Sequence, residues 1–342
     1  MRIAVDAAGG DFAPGNIVDG ALVAARHLGF GLTLVGPRGQ LETELARHVD
    51  AKRVDVVVVD APECVGMGES PVAALRRKPH ASVSRAAEAV ARGEAAAFFS
   101  AGNTGATLLA ARAAFGMLPG VDRPALATTI PTRTRGAVLL DSGANVECRP
   151  QHLVQFAVMG QVYARLALNV RKPRIGLLSI GEEATKGNEL TRDAHRRLRD
   201  SPLDFIGNVE ARDVYSGEAD VIVCDGFTGN IALKISEGLV EFVEGLLREE
   251  LNRTFSSSVG LLLSRRAFRR FRRRVDYSEY GGAPLLGVGQ LCIVGHGRSS
   301  PKAVRNALAM AHRFAQEGFV DRVRGEIAAL TPGAASPAAP AG

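Results

Sequence analysis

An apolar run passes through a small polar turn into a helical pattern in Ala95-Ala96-Ala97-Phe98-Phe99-Ser100-Ala101-Gly102-Asn103-Thr104-Gly105-Ala106-Thr107-Leu108-Leu109. This order predicts a buried strand, a tight turn and the N-terminus of a helix. Gly102 and Gly105 let the backbone turn and approach a ligand closely. Unpaired N–H groups and the positive end of the helix dipole then favour an anion. The stretch alone leaves an alternative open, an ordinary loop with Asn103 or Thr104 as helix cap.

The same pattern recurs along the chain, and this recurrence predicts the fold class. Strands such as Arg2–Asp6 alternate with helical patterns, which is typical of a three-layer α/β/α sandwich, Rossmann-like, with a largely parallel sheet. A hairpin is predicted between 126–130 and 137–140, and a long helix ends near Asn252. Small polar turns follow the predicted strands at 6–11, 100–105, 141–147, 181–188, 225–230 and 295–300. Because ligands bind at the carboxyl ends of parallel strands, we expect these turns to face one crevice.

Length and composition set the domain organisation. A chain of 342 residues with 46% hydrophobic content can bury a single α/β catalytic domain over 1–330, or two lobes around one cleft. The Ala- and Pro-rich segment 331–342 is predicted to be disordered. No apolar run reaches the roughly 18 residues of a membrane span. The N-terminus enters a strand pattern directly, so we expect no signal peptide.

The spacing of the cysteines and the absence of known catalytic motifs exclude several kinds of site. The four cysteines lie far apart and form no C-x-x-C pair, so we expect a reducing cytoplasm, no disulfide and no metal. No G-x-G-x-x-G motif is present, and no cofactor is expected. Neither a Ser-His-Asp order nor a nucleophile elbow occurs, and Cys148 and Cys224 are expected to be inert and buried. Glycines, amides and Lys186 in the turns instead suit binding an anion and stabilising an oxyanion.

A strongly basic segment follows the long helix, and we expect a helical insertion at about 253–280. Drawn as a helix, Gly260–Val275 gathers apolar residues on one side and seven arginines on the other. Such a helix fits an anionic membrane surface or an acidic protein. A helix packed on the core with solvated arginines is the alternative. Nucleic acid is not expected, because only two aromatic residues interleave the cations. The residues assigned to membrane or carrier contact are Leu261, Phe268, Arg269, Phe271 and Arg272.

Six motifs together carry a resemblance to a known family. They are Val5-Asp6-Ala7-Ala8-Gly9-Gly10-Asp11, Ser100-Ala101-Gly102-Asn103-Thr104-Gly105-Ala106, Leu140-Asp141-Ser142-Gly143-Ala144-Asn145, Ile180-Gly181-Glu182-Glu183-Ala184-Thr185-Lys186-Gly187, Cys224-Asp225-Gly226-Phe227-Thr228-Gly229-Asn230 and Gly281-Gly282-Ala283-Pro284-Leu285-Leu286-Gly287. Spanning nearly the whole chain, they resemble the bacterial phosphate acyltransferases of phospholipid synthesis, the PlsX family. Two departures are Ala8, where the family usually has Met, and Ser179, where it usually has Asn.

The resemblance implies an activity, partners and a location. It implies transfer of a fatty acyl group from acyl carrier protein to inorganic phosphate, which forms acyl phosphate for phospholipid synthesis. It also implies a fold similar to phosphate acetyltransferases and isocitrate dehydrogenases. A homodimer is expected, in the cytoplasm and peripherally associated with the inner face of the cell membrane.

Residue roles follow as hypotheses from the turns. Lys186, Asp225 and Asn230 are the predicted catalytic residues. Lys186 and the turn 100–105 hold phosphate, and Asp225 orients Lys186 or accepts a proton. Asn103, Asn145 or Asn230, with nearby N–H groups, stabilises the oxyanion. Capping of the long helix is the alternative for Asp225, and a structural place in its turn is the alternative for His296. The predicted binding residues are Gly10, Ser100, Gly102, Asn103, Thr104, Gly105, Asn145, Glu182 and His296.

Three rival functions remain open at this stage. A phosphate acetyl- or butyryltransferase would use coenzyme A thioesters on the same fold. An isocitrate-type dehydrogenase would need a cluster of metal-binding carboxylates, which the sequence does not contain. A non-catalytic scaffold at the membrane surface would need only the basic helix.

Overall fold

Strands and helices alternate along the part of the chain described by this computed structural model, residues 1–252 and 281–330 with Arg266 and Phe271. The strands there are β1 Arg2–Asp6, β2 Gly31–Gly36, β3 Val56–Asp60, β4 Ala97–Ser100, β5 Ala125–Leu126, β6 Thr128–Pro131, β7 Gly136–Leu140, β8 Ile175–Ser179, β9 Phe205–Glu210, β10 Val221–Val223, β11 Ala283–Leu286 and β12 Cys292–Val294. The helices there are α1 Gly15–Leu28, α2 Arg38–Ala46, α3 Pro71–Arg77, α4 Ser82–Ala91, α5 Thr104–Phe115, α6 Pro150–Ala167, α7 Glu189–Arg199, α8 Gly226–Asn252, α9 Pro301–Gln316 and α10 Phe319–Leu330.

The strands form two sheets, where the alternating pattern had predicted one. The first sheet has seven strands in the order β3-β2-β1-β4-β12-β11-β5, and the second has five in the order β6-β7-β10-β8-β9. Only Ala127 separates β5 from β6, which are edge strands of different sheets. The chain therefore crosses between the sheets at Ala127, and Leu126 belongs to the first sheet, not to the predicted hairpin.

Both sheets are largely parallel, as predicted. Parallel pairs join β1 to β2 and β4, β12 to β4, and β10 to β7 and β8. Antiparallel pairs occur at β5–β11, β11–β12 and β6–β7. The β6–β7 pair is the predicted hairpin, with Thr128 opposite Leu139 and Pro131 opposite Gly136.

Helices cover both faces of the first sheet. Along β1, Ile3 and Val5 enter the core cluster that contains α1 and α9, whereas Ala4 enters the cluster of α4 and α5. Successive side chains of a strand point to opposite faces, so the sheet must lie between these two helix pairs. Strands buried on both faces read as continuous apolar runs, which explains why Ala97, Phe98 and Phe99 are all fully buried.

The second sheet has the same layered build. Val138 and Leu140 of β7 pack with α6 and α7, and Leu139 enters a smaller cluster that Leu233 of α8 joins. The first of these clusters also contains α1 and α9, so one apolar core is continuous from sheet to sheet. Helices α6 and α7 thus cover one face of the second sheet, Leu233 of α8 contacts the other face, and the two sheets share one side of the core.

Candidate functional site

The carboxyl edge of the first sheet brings three of the six turns together. Strands β1, β4 and β12 are neighbours, so the turns 6–11, 100–105 and 295–300 leave the sheet side by side. Ser100 Oγ donates to Asp6 Oδ2 at 2.7 Å and accepts from Gly102 N at 3.1 Å. Both Asp6 and Ser100 are buried. Ser100 therefore links two turns below the surface and is not itself exposed to a ligand.

Backbone contacts among these turns depend on their glycines. A Cβ atom at Gly9 would lie only 3.0 Å from Gly102 Cα and would overlap with Asp6 Oδ2. Gly10 has φ +112°, a conformation that residues with side chains rarely adopt. Asp11 N donates to Gly297 O at 2.8 Å, which joins the first turn to the last. The glycines therefore allow the backbones of the three turns to pack closely against one another.

Asn103 has a structural role in this region. Its Oδ1 accepts from Ala106 N at 3.1 Å, which caps α5. Its Nδ2 lies 3.2, 3.1 and 3.0 Å from the carbonyl oxygens of Gly66, Met67 and Glu69. Asn103 therefore caps α5 and anchors the 66–69 loop, and its role in stabilising an oxyanion stays a prediction. The sequence left the helix cap open as an alternative for Asn103. No local sequence pattern predicts its hydrogen bonds to the 66–69 loop.

The carboxyl edge of the second sheet collects the other three turns, because β7, β10 and β8 are also neighbours. Asp141 organises the turn 141–147 from within. Its carboxylate accepts from the N–H groups of Leu126 at 3.0 Å, Gly143 at 3.1 Å, Ala144 at 3.0 Å and Asn145 at 2.7 Å, and from Asn145 Nδ2 at 2.8 Å. Burial raises the pKa of Asp141, and these hydrogen bonds oppose that rise. Asp141 belongs to one of the six motifs, but nothing in the sequence predicts that its carboxylate organises the turn.

The amide of Asn145 is also engaged within the protein. Asn145 is 8% exposed, and its Nδ2 donates to Pro124 O at 2.6 Å as well as to Asp141. Asn145 therefore has a structural role in this turn, and its contact with substrate stays a prediction. Burial raises the pKa of the nearby Cys148 thiol to about 12 and that of Cys224 well above its ordinary value. Both thiols are poor nucleophiles near neutral pH, as expected.

Asp225 caps α8. Its Oδ1 accepts from Thr228 N at 2.8 Å, and its Oδ2 accepts from Thr228 Oγ1 at 2.9 Å. Capping was the alternative interpretation of this residue, and within residues 1–252 and 281–330 its carboxylate forms no ion pair with Lys186. Gly226 N donates to Asn145 O at 2.7 Å, so the turns 141–147 and 225–230 are locked to each other.

Lys186 and Asn230 keep their polar groups available. Both side chains are exposed, and neither makes a hydrogen bond or ion pair with residues 1–252 or 281–330. The backbone of Lys186 is nevertheless fixed, because Lys186 N donates to Glu183 O at 3.0 Å. Asn230 lies beside Gly143, where an added Cβ would be 3.6 Å from the Asn230 side chain. The polar groups of these two predicted ligands therefore remain without a partner in the described part of the chain.

Three further predicted binding residues lie in the turns at the carboxyl edges of the two sheets, and all three are exposed. Thr104 is exposed at the first position of α5, next to Gly105. Glu182 is exposed and pairs with Arg212 at 3.6 Å. His296 is exposed, and its Nδ1 accepts from Arg298 N at 3.2 Å, which closes the turn 295–300. A structural histidine was the alternative for that position.

The two edges adjoin at Leu126. Its N–H donates to Asp141, and its carbonyl accepts from Ser142 N at 2.9 Å, so the second group of turns is attached to the edge of the first sheet. The structure thus assembles the six turns as two groups of three. That all six bind one ligand stays a prediction.

The basic helix and the tail lie mostly outside the described residues. Leu261, Phe268, Arg269, Arg272 and the segment 331–342 belong to the part that the structure does not describe. Phe271 is described as helical and 45% exposed. No helix in the described ranges is both long and apolar enough to span a membrane. In the same ranges, no group of three or more His, Cys, Asp or Glu side chains is placed to hold a metal ion.

Comparison with known proteins identifies the chain's relatives. The family described as fatty acid synthesis protein matches residues 1–322. A phosphate acyltransferase of Geobacter sp. (strain M21) is 50% identical over 333 residues, which cover 97% of this chain and 94% of that protein. A phosphate acyltransferase of Acidobacterium capsulatum is 49% identical over 327 residues, which cover 96% of this chain and 97% of that protein.

Solved structures show the fold independently. A phosphotransacetylase from Streptococcus pyogenes superposes with a TM-score of 0.63 at 16% identity, covering 93% of this chain and 94% of that one. This likeness confirms the predicted three-layer fold. The relatives at about half identity go further: the chain belongs to the fatty acid synthesis protein family and, within it, to the phosphate acyltransferases.

Proposed function

We propose that this protein transfers a fatty acyl group from acyl carrier protein to inorganic phosphate and releases acyl phosphate. The observation that carries the proposal is the half-identical match to phosphate acyltransferases over nearly the full length of both chains. The geometry of the turns supports it, because glycine-rich backbone and an exposed lysine with no counter-ion among the described residues suit an oxyanion ligand. The acyl phosphate would serve phospholipid synthesis.

Phosphate binding is assigned to Lys186 and to the start of α5. The first N–H groups of a helix have no partner within the helix, and those of Thr104 and Gly105 lie at the positive end of the α5 dipole. Lys186 supplies a full positive charge that no acidic side chain neutralises among the described residues. Gly10 and Gly102 add backbone that lacks side-chain bulk, and His296 and Glu182 border the two groups of turns.

The reaction needs positioning more than activation. A phosphate oxygen attacks the thioester carbonyl carbon, the carbonyl oxygen becomes an oxyanion, and the thiolate leaves as the carbonyl re-forms. Phosphate is already a competent nucleophile near neutral pH, so holding it beside the thioester supplies much of the rate. Asn230, whose amide is free, is assigned to the oxyanion; removing one such donor typically lowers turnover by about 10²–10³. Asp225 is assigned to capping, since Thr228 engages both of its carboxylate oxygens.

Substitution of Lys186 tests the phosphate site. Loss of one charge-assisted hydrogen bond typically costs about 1.5–3 kcal/mol, so we expect Lys186→Ala to raise the KM for phosphate by about 10- to 100-fold. The assay combines long-chain acyl carrier protein with phosphate and traps acyl phosphate with hydroxylamine. Lys172→Ala is the matched control, because Lys172 is an exposed lysine paired with Asp204 at 3.5 Å. An unchanged KM for phosphate in Lys186→Ala would refute the assignment.

The acyl donor separates this proposal from its rivals. A phosphotransacetylase-like enzyme on this fold would take coenzyme A thioesters, so the same trap is run with acyl-coenzyme A in place of acyl carrier protein. Faster acyl phosphate formation from coenzyme A thioesters would favour the rival. Any turnover with phosphate excludes a purely non-catalytic scaffold.

We also propose a homodimer that works in the cytoplasm at the inner face of the cell membrane. Exposed apolar side chains on α8 support the dimer, and the seven arginines of 260–275 support contact with an anionic surface. The membrane contact is assigned to Leu261, Phe268, Arg269, Phe271 and Arg272. Fractionation of a Phe268→Ser, Phe271→Ser variant tests it, and unchanged membrane association would contradict it.

A further inference from the structure

Two buried polar side chains lie behind the loop that carries Lys186. Asn208 on β9 is 9% exposed and His195 on α7 is 8% exposed. His195 Nδ1 and Asn208 Oδ1 are 3.0 Å apart, and Asn208 Nδ2 donates to Glu183 O at 2.9 Å. These bonds connect a helix and an edge strand of the second sheet to the turn 181–188.

The hydrogen bonds define which atoms carry protons. Since Asn208 Nδ2 donates to Glu183 O, Asn208 Oδ1 acts as the acceptor, and His195 Nδ1 must carry the hydrogen. The His195 ring is held from the side by Phe205, with centroids 5.1 Å apart and planes at 78°. Buried polar groups cost stability unless they are paired, and here each of the two side chains has a hydrogen-bond partner.

The carbonyl oxygen of Glu183 connects the His195–Asn208 pair to the backbone of Lys186. The same carbonyl accepts from Asn208 Nδ2 and from Lys186 N, at 2.9 and 3.0 Å. On the far side of Lys186, Arg192 Nη1 donates to Gly187 O at 3.1 Å, and Asn188 Oδ1 caps α7 by accepting from Thr191 N. The backbone of Lys186 is therefore held from both directions, while its ammonium group is left without a partner among the described residues.

We propose that Asn208 and His195 are positioning residues that hold the Lys186 loop ready for phosphate. The inference rests on the proposed function, in which Lys186 binds that phosphate. Neither residue touches the ligand; both act through Glu183 O. A loop that is already ordered loses less conformational entropy when the anion binds, and this gain appears as affinity for phosphate.

The test separates phosphate binding from the other kinetic parameters. We expect Asn208→Ala to raise the KM for phosphate by about tenfold, the effect of losing roughly one net hydrogen bond, with the KM for acyl carrier protein thioester unchanged. Val209→Ala is the matched control, because Val209 is the next residue of β9, is 6% exposed and packs on Gly176. It should lower stability and leave the KM for phosphate unchanged. Equal effects of both variants on that KM would overturn the proposal.

A second pair of variants decides the question if Asn208→Ala fails to fold. His195→Asn places an amide donor near the position of Nδ1, whereas His195→Gln places it near the position of Nε2. The proposal predicts a KM for phosphate close to that of the unsubstituted protein for His195→Asn and a raised KM for His195→Gln. The same KM in both variants would overturn it.

Lys186→Ala keeps this inference distinct from the proposed function. If Lys186→Ala leaves the KM for phosphate unchanged, the phosphate site itself is wrongly assigned. If Lys186→Ala raises that KM and Asn208→Ala does not, only the positioning role fails. In the double variant, Asn208→Ala should add little to the effect of Lys186→Ala, because both act through one ammonium group. Fully additive effects would contradict the shared route.

Discussion

Asp6 is a buried carboxyl group whose two oxygens differ in their hydrogen bonding. Its Oδ2 accepts from Ser100, but its Oδ1 makes no hydrogen bond with the residues that the structure describes. Burial raises the pKa of Asp6 above its ordinary value, and its hydrogen bonds offset this only in part. Asp141 shows the contrast, since five N–H donors surround a carboxylate that is equally buried. The same residue type is thus held in two different ways at the two sheet edges.

The raised pKa of Asp6 predicts a pH dependence of stability. The folded state binds the Asp6 proton more tightly than the unfolded state, whose pKa stays near the ordinary value of 3.8. The stability that Asp6 contributes is therefore complete below that value and is lost as the pH rises through the folded-state pKa, by at most about 1.4 kcal/mol per pH unit. Asp6→Asn cannot titrate, so its free energy of unfolding relative to the unsubstituted protein should increase as the pH rises from 4.

Urea unfolding between pH 4 and 8 measures this difference. Asp200→Asn serves as the control, because Asp200 has a 70% exposed side chain and a surface partner, Arg199. Its free energy of unfolding should stay parallel to that of the unsubstituted protein. A constant offset for Asp6→Asn over the whole range would show that Asp6 titrates alike in both states.

Among the elements, α5 shows how one helix terminus supports a neighbouring loop. The cap of α5 is local, because Asn103 bonds to an N–H three residues later. The loop contact is long-range, because Asn103 Nδ2 reaches carbonyls of 66–69, more than thirty residues earlier in the chain. Glu69 strengthens the same loop by accepting from Lys78 Nζ at 2.7 Å and from Gly66 N at 2.8 Å. The hydrogen bond from Lys78 lowers the pKa of Glu69.

Asn103→Ala should therefore cost more than an ordinary cap. Removal of a helix cap alone costs about 1 kcal/mol, and we expect a larger loss here because the 66–69 loop is released too. Hydrogen exchange of that loop should accelerate in Asn103→Ala. Ser300→Ala is the control, since Ser300 caps α9 through Ala303 N at 3.3 Å and reaches no second loop. Equal destabilisation by the two variants, with unchanged exchange at 66–69, would contradict this role.

At the scale of the whole molecule, α8 carries the most extensive exposed apolar face among the helices that the structure describes. Its large exposed side chains recur at spacings of four, four, three and four residues, at Ile231, Ile235, Leu239, Phe242 and Leu246. This periodicity is typical of a seam between packed helices. A contiguous apolar stripe of this kind is costly in water, which supports the proposed pairing with a second copy of the chain.

A charge placed on this stripe should weaken the dimer. We expect Leu239→Asp to shift the protein from dimer to monomer in sedimentation velocity, because the interface would have to bury an unpaired carboxylate. Glu241→Lys changes the charge beside the stripe and should leave the dimer intact. A Leu239→Asp protein that sediments as the unsubstituted one does would place the interface elsewhere.

The sequence predicted much of the architecture for a physical reason. Strand and helix patterns are local, so the alternation, the parallel pairing and the hairpin of β6 and β7 could all be predicted. The turns at strand ends were found for the same reason. The separation into two sheets could not be predicted, because it depends on which sheet edge each of β5 and β6 joins. The local sequence of 125–131 does not indicate which edge that is.

The sequence by itself determined the fold class, the family and the turns that carry the candidate site. Only the tertiary structure decided which polar residues in those turns remain free. Four polar residues stand in small turns after strands: Asn103, Asn145, Asp225 and Asn230. In the first three, backbone or side chains of the protein engage the hydrogen-bonding groups. The support of Lys186 by Asn208 and His195 has no sequence motif at all. Packing between elements that are distant in the chain determines the hydrogen-bond partners. Local sequence periodicity does not predict that packing.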